Sequence, residues 1–334
     1  MFRFSTTRNR VLLLAAASLV VGCGSVAAGR SAQSPPNQHV APVAPTASEP
    51  IAPYRARFGR QRPIIAIVGV NSGTELTDYV VVPAVVERND PTLLTWIKQQ
   101  AAKGGTLVSI CDGALVLAQS GVLDGHRATA HWATAGYRRK HYPQVNWIAD
   151  RRYVADGRIV SSAGISAAIP TSLALVEAIA GHERAAIVAA QVGAPDWSPA
   201  HDSHRFAPRF GRNLRAFATT QYRNGWLHKA AAIGVAVAPG ADEITVALTA
   251  DAYSRTGRAK AFALGGSTAP ILTRHGLTLL PDRTDPKAVD RIVALATGKS
   301  VVTLDGVLAD IARLYGKQTA FGVALDLEYP GYHG

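Results

Sequence analysis

Cys111 has the surroundings of a nucleophile. It follows the β-branched, apolar run Thr106 to Ile110 and precedes Asp112-Gly113-Ala114, where an apolar stretch runs on to Gly121. Such a run reads as a buried parallel strand feeding a helix, so Cys111 stands at a strand-to-helix turn. A turn of this kind presents a side chain at the sheet edge, with the first helix amides aimed at any anion that forms there. The positive helix end is expected to lower the thiol pKa, and the Asp112 amide is a candidate oxyanion donor. A buried, inert cysteine is the competing reading of the same pattern.

Elements before and after the turn must hold it. Ile64 to Val70 and Tyr79 to Val82 read as strands, and Asp90 with Pro91 opens a helix carrying Leu93, Leu94, Ile97 and Ala101 on one face. Tyr153 to Val160 reads as a hairpin turning at Asp156-Gly157, and Pro170 to Gly181 as a helix with Leu173, Val176 and Ile179 on one side.

The ordered motifs Tyr79-Val80-Val81-Val82-Pro83, Ser109 to Ala114, Gly121 to Gly125, Arg127 to Trp132 and Ser161 to Ala168 resemble the ThiJ/PfpI family, which has a class I glutamine amidotransferase-like fold. Isonitrile hydratases and the sensor halves of some transcription regulators are among its members. The resemblance covers about residues 63–190. It implies an α/β, flavodoxin-like sandwich with a parallel sheet and a nucleophile elbow at Cys111. It also puts His131 beside the cysteine, where imidazole could take the thiol proton. A carboxylate near the end of the first strand would act as general acid or base, with Glu75 and Asp78 as the two candidates. Ala84 stands where the family holds a second oxyanion donor, and Ser162, Gly164 and Gly113 shape the pocket. One departure is plain: the helix, strand and hairpin that the family places between the acid loop and the Tyr79 strand are missing, so the sandwich is shortened near its N-terminus.

The remainder divides by composition. Residues 1–22 carry Arg3, Arg8 and Arg10, then an apolar run from Val11, and end before Cys23, which is the pattern of a bacterial lipoprotein signal peptide. Cys23 is the expected lipidation site, and Gly24 after it suggests the outer membrane facing the periplasm. Residues 23–62 are a disordered Pro/Ala/Ser-rich tether with a basic end, Arg55, Arg57, Arg60 and Arg62, suited to anionic headgroups. Residues 191–334 form a C-terminal α/β extension. In it Ile244 to Leu248 and Phe321 to Leu327 read as strands, while Asp285-Pro286 and Asp305 read as helix openings. His201-Asp202-Ser203-His204 reads as a polar loop, not a metal site, and no metal or cofactor is expected.

A formal charge of +12 invites a nucleic-acid reading, but no helix-turn-helix, finger or basic-aromatic interleaving accompanies it. The expected partners are therefore a small molecule and a membrane reached through the lipid anchor, with no nucleic acid and with homo-oligomerisation open. The functional expectation is a membrane-tethered, cysteine-dependent hydrolase, amidase or hydratase working through Cys111. The alternative is a non-catalytic small-molecule binding or sensing module of the same fold.

Overall fold

Because Leu107 and Val108 put apolar side chains on opposite faces of the segment Thr106 to Ser109, it is expected inside a sheet covered twice, and it is found there. In the computed structural model, which describes residues 49–57, 62–69, 77–209 and 213–332, these elements follow in chain order: β1 (Ile65–Ile67), β2 (Tyr79–Val82), α1 (Pro91–Ala102), β3 (Thr106–Ser109) and α2 (Gly113–Gln119). A short parallel pair, β4 (Arg127–Ala128) and β5 (Asn146–Trp147), brackets α3 (Ala135–His141). The hairpin β6 (Tyr153–Asp156) and β7 (Ile159–Ser162) leads to α4 (Ala168–Ala180) and α5 (His182–Val192). The main sheet has the order β1-β2-β3-β7-β6, parallel except for the edge strand β6. On one face Val80, Val82 and Leu107 pack with Ile97 of α1 and with Val116 and Leu117 of α2. On the other, Tyr79, Val108 and Val160 meet Leu175 and Ile179 of α4. The fold is thus the expected flavodoxin-like sandwich, and Asp90 caps α1 by accepting from the Thr92 amide at 2.8 Å.

Residues 49–57, assigned by composition to the tether, pack on this sandwich. Ile51 and Tyr54 join the Tyr79 cluster, the Tyr54 amide donates to the Ala178 carbonyl, and buried Glu49 pairs with Arg127 at 2.6 Å. Arg57, expected at headgroups, donates to the Lys103 and Gly104 carbonyls at the end of α1. Two apolar anchors and the ion pairs of Glu49 with Arg127 and Arg151 outweigh a composition that disfavours order.

The later part contains α6 (Leu214–Ala218), a π turn over Thr219–Arg223, α7 (Asn224–Leu227), β8 (Ala231–Ala236), α8 (Glu243–Ser254), β9 (Ala259–Leu264), the hairpin β10 (Ile271–Leu272) and β11 (Thr278–Leu279), β12 (Arg291–Val293), α9 (Thr303–Tyr315) and α10 (Lys317–Asp326). Strands β9, β8 and β12 form a second, parallel sheet with β8 central. Four local expectations are corrected here. Ile244 to Leu248 lies in α8 and Phe321 to Leu327 mostly in α10, since a short apolar run alone does not separate a strand from a buried helix. Asp285-Pro286 opens only a 3₁₀ turn before β12, and Asp305 lies inside the first turn of α9, accepting from the Tyr329 hydroxyl at 2.7 Å.

The second sheet repeats the first in detail. The Ile64 amide donates to Asp78 Oδ2 at 2.8 Å and the Ala232 amide to Asp290 Oδ2 at 2.7 Å, while the Asp78 and Asp290 amides return bonds to the Ile64 and Ala232 carbonyls. Helices α4 and α5 meet at Gly181 (φ 87°, ψ 164°), and α9 and α10 meet at Gly316 (φ 92°, ψ 153°). Around these glycines the Gly181 amide bonds the Glu177 carbonyl as Gly316 bonds Ala312, and Ala194 bonds Ala189 as Tyr329 bonds Ala324. At one constant offset Leu173, Ala185, Val188, Ala189 and Pro195 match Leu308, Ala320, Val323, Ala324 and Pro330. The helix, strand and hairpin absent after β1 stand instead between β8 and β12. In the second repeat, β12 is followed by α9 without a strand like β3 or a turn like that at Cys111.

Candidate functional site

Cys111 ends the strand that β3 begins, in left-handed backbone with φ 55°. A β-carbon there costs about 1 kcal/mol or more, which neighbouring contacts must offset. Buried Ser162 at the end of β7 supplies one, its Oγ accepting from the Cys111 amide at 3.1 Å. Gly113 supplies another by absence, because a β-carbon on it would lie 2.0 Å from the Val82 carbonyl oxygen. The turn therefore forms where parallel strands β2, β3 and β7 end together.

The expected activation of the thiol is not what this geometry gives. Burial pushes the Cys111 thiol well above its ordinary range, the Asp112 carboxylate pushes it further, the Asp112 amide bonded to the sulfur opposes them, Glu328 raises it again and Arg255 lowers it. Helix α2 is short, and its amides do not outweigh desolvation. The Asp112 carboxylate accepts from Thr134 Oγ1 at 2.8 Å and so stays beside the turn.

His131, buried at the start of the 3₁₀ turn Trp132–Thr134, is held by backbone at both ring nitrogens. Nδ1 accepts from the Ala133 amide at 3.2 Å, which leaves Nε2 as the protonated nitrogen, donating to the Asp326 carbonyl at 3.0 Å. Its own carbonyl accepts from Arg138 Nη1, and desolvation holds the buried Arg138 guanidinium down to about 10.

The two acid candidates fare differently. Asp78 precedes β2, whereas Cys111 follows β3. With Tyr79 in register with Thr106 and the strands parallel, Asp78 lies at the opposite edge of the sheet, roughly 20 Å away at about 3.3 Å per residue. Its carboxylate closes the β1–β2 pair and cannot exchange protons with the thiol. Glu75 and Cys23 lie outside the described residues. Ala84 is exposed in the loop after β2.

A carboxylate does reach this region, from the second repeat. Glu328, fully buried and itself left-handed with φ 52°, follows α10. Its Oε1 accepts from the Trp132 amide at 2.9 Å, with His131 Nε2 at 3.8 Å. Its Oε2 accepts from the Gly164 amide at 3.0 Å and from His201 Nε2 at 2.8 Å. Burial opposes its ionisation, yet the His201 bond, the two imidazoles and the Trp132 amide leave its pKa below the ordinary glutamate value. His201, read from sequence as part of a polar loop, is instead a buried donor to this carboxylate, while His204 is exposed and 3.9 Å from Asp150. Sequence reasoning missed Glu328, although the repeat spacing that places Pro330 against Pro195 would have singled it out opposite Gly193.

Elsewhere, Asp242, Glu243 and His275 bring one potential ligand atom each within 4.8 Å. Their oxygens are already occupied: Asp242 caps α8 through Thr245, and Glu243 accepts from Thr273 Oγ1 and from the His275 amide and ring at 2.7 Å. Burial opposes ionisation of Glu243, but the bonds from Thr273 and His275 hold it at about 2. The group is a saturated hydrogen-bonded cap.

Fold and site together define an α/β sandwich protein with a cysteine in a left-handed strand-to-helix turn. The chain carries a DJ-1/PfpI family domain, matched over residues 74–178. It is 34% identical over 127 residues to the HTH-type transcriptional regulator CdhR of Pseudomonas aeruginosa, covering 37% of this chain and 38% of that one. It is 34% identical over 121 residues to the isonitrile hydratase of Pseudomonas putida, covering 33% and 51%. To the HTH-type transcriptional regulator GbdR of P. aeruginosa it is 28% identical over 95 residues, covering 28% and 26%. The chain thus spans about half or less of the length of these relatives. Similarity to two HTH-type regulators overturns the expectation that nucleic acid is excluded as a partner.

Proposed function

We propose that the DJ-1/PfpI domain works as a small-molecule binding or sensing module in which Cys111 is held as a neutral thiol. The observation that carries this reading is the engagement of both His131 ring nitrogens by backbone groups. The remaining charged neighbours of the buried thiol are the Asp112 and Glu328 carboxylates, which raise its pKa, and the Arg255 guanidinium, which lowers it. Hydrolase, amidase or hydratase chemistry through Cys111 would need a proton acceptor at the sulfur, and the Asp78 carboxylate is at the wrong edge of the sheet. Likeness to an isonitrile hydratase keeps hydration as the alternative activity to test. Iodoacetamide alkylation followed by intact-protein mass decides between them. Labelling of Cys111 at pH 7 at least tenfold slower than free cysteine is expected, and labelling faster than free cysteine would overturn the reading.

Membrane tethering belongs to the same proposal and rests on residues 1–23. Among the described residues no helix is long and apolar enough to cross a membrane. In cells fed a lipid label, incorporation that disappears in Cys23→Ala would support a lipid-anchored envelope protein. Equal labelling of the variant would refute it.

A further inference from the structure

Glu328 is an improbable residue for its place. The first repeat has Gly193 there, at φ 82°, as left-handed backbone favours. The second repeat keeps the turn at φ 52° but carries a carboxylate, and buries it completely. Neither the backbone nor the local packing of α10 asks for that side chain. Its hydrogen-bond partners all come from the first repeat and its returning segment: the Trp132 and Gly164 amides and His201 Nε2. Gly164 has no side chain, and a β-carbon would meet Glu328 Cγ at 2.6 Å. These donors meet both oxygens of one carboxylate, with the Cys111 thiol close enough to feel its charge.

We propose that this cradle is a carboxylate-binding site of the DJ-1/PfpI domain, occupied at rest by Glu328 and opened to a small carboxylate ligand when the turn after α10 withdraws. The cradle recognises a planar anion by geometry: one amide on Oε1, one amide and one buried imidazole on Oε2. An external carboxylate would make the same bonds, so ligand and Glu328 compete for one set of donors. Withdrawal would also break the bonds from Ser166 to the Leu327 and Glu328 carbonyls and from Trp132 Nε1 to the Leu325 carbonyl. Ligand binding is thereby coupled to the second repeat, as a sensing module requires. The inference deepens the ligand-module reading by naming the ligand class, and it rests on that reading.

The test uses propionate as probe and propionamide, its neutral isostere, as control. Glu328→Gly removes the resident carboxylate while keeping the residue type that the first repeat places in this turn. It should bind propionate at least tenfold more tightly than wild type by calorimetry, with propionamide binding at least tenfold more weakly than propionate. In wild type, saturating propionate should raise amide exchange at residues 325–329. Equal propionate affinity in variant and wild type, or equal binding of propionamide, overturns the proposal. Should Glu328→Gly fail to fold, wild-type exchange decides alone, and no change there overturns it. Fast alkylation of Cys111 would sink the neutral-thiol reading while leaving the cradle intact, so the two failures are distinguishable.

Discussion

Glu328 and Gly164 fit one another across the two repeats: the Gly164 amide donates to Glu328 Oε2 at 3.0 Å, and the space a Gly164 side chain would need is filled by the Glu328 methylenes. A buried carboxylate is tolerable only when its oxygens are hydrogen-bonded, and here they are. The contact therefore joins the site of the first repeat to the last helix of the second.

Gly164→Ala should destabilise the protein by about 1–3 kcal/mol through overpacking, seen as a fall in the unfolding midpoint. In the double variant with Glu328→Gly, most of that loss should be recovered, because the clashing partner is gone. Simple addition of the two losses would argue against the contact.

Glu328 also sets a pH dependence. Its folded pKa lies below the ordinary glutamate value, so its contribution is complete above that value and is lost as pH falls through the lower, folded pKa. Denaturant midpoints measured from pH 6 downward should fall less steeply in Glu328→Gln than in wild type. Parallel curves would deny Glu328 this role.

Charge removal at the same residue should alter the thiol. Glu328 raises the Cys111 pKa, so Glu328→Gln should be alkylated faster than wild type at pH 8, by a few-fold, since burial remains the larger obstacle. Labelling slowed or unchanged would mean the carboxylate does not act on the sulfur.

Asp78 and Asp290 should behave as twins. Each accepts from a strand amide and closes one parallel pair, so Asp78→Asn and Asp290→Asn should each cost about 1–2 kcal/mol, and neither should change Cys111 alkylation. A selective effect of Asp78→Asn on alkylation would restore it to the cysteine's chemistry.

Glu243, held at about 2 by Thr273 and His275, provides a second acid-sensitive contribution, of at most about 3 kcal/mol. It is present above the ordinary glutamate pKa and lost as pH falls towards 2. Glu243→Gln should flatten the acid limb of the stability curve independently of Glu328→Gln.

The sandwich, the elbow at Cys111, the Asp90 cap and the Asp156-Gly157 turn were legible because each is written locally, in a β-branched run, a capping side chain or a glycine with positive φ. Short apolar runs such as Ile244 to Leu248 were not, because four or five residues do not reveal whether the period is two or 3.6.

What the amino-acid order determined, then, was that a cysteine would stand at a strand-to-helix turn, since the β-branched run before it and the apolar helical run after it lie in adjacent residues. Tertiary structure decided what surrounds the sulfur. Parallel strand register sent Asp78 to the far edge, and packing of one repeat on the other brought His201 and Glu328 from residues remote in sequence. The charge state of a buried thiol depends on desolvation and on groups a few ångströms away, and neither quantity exists until the chain has folded.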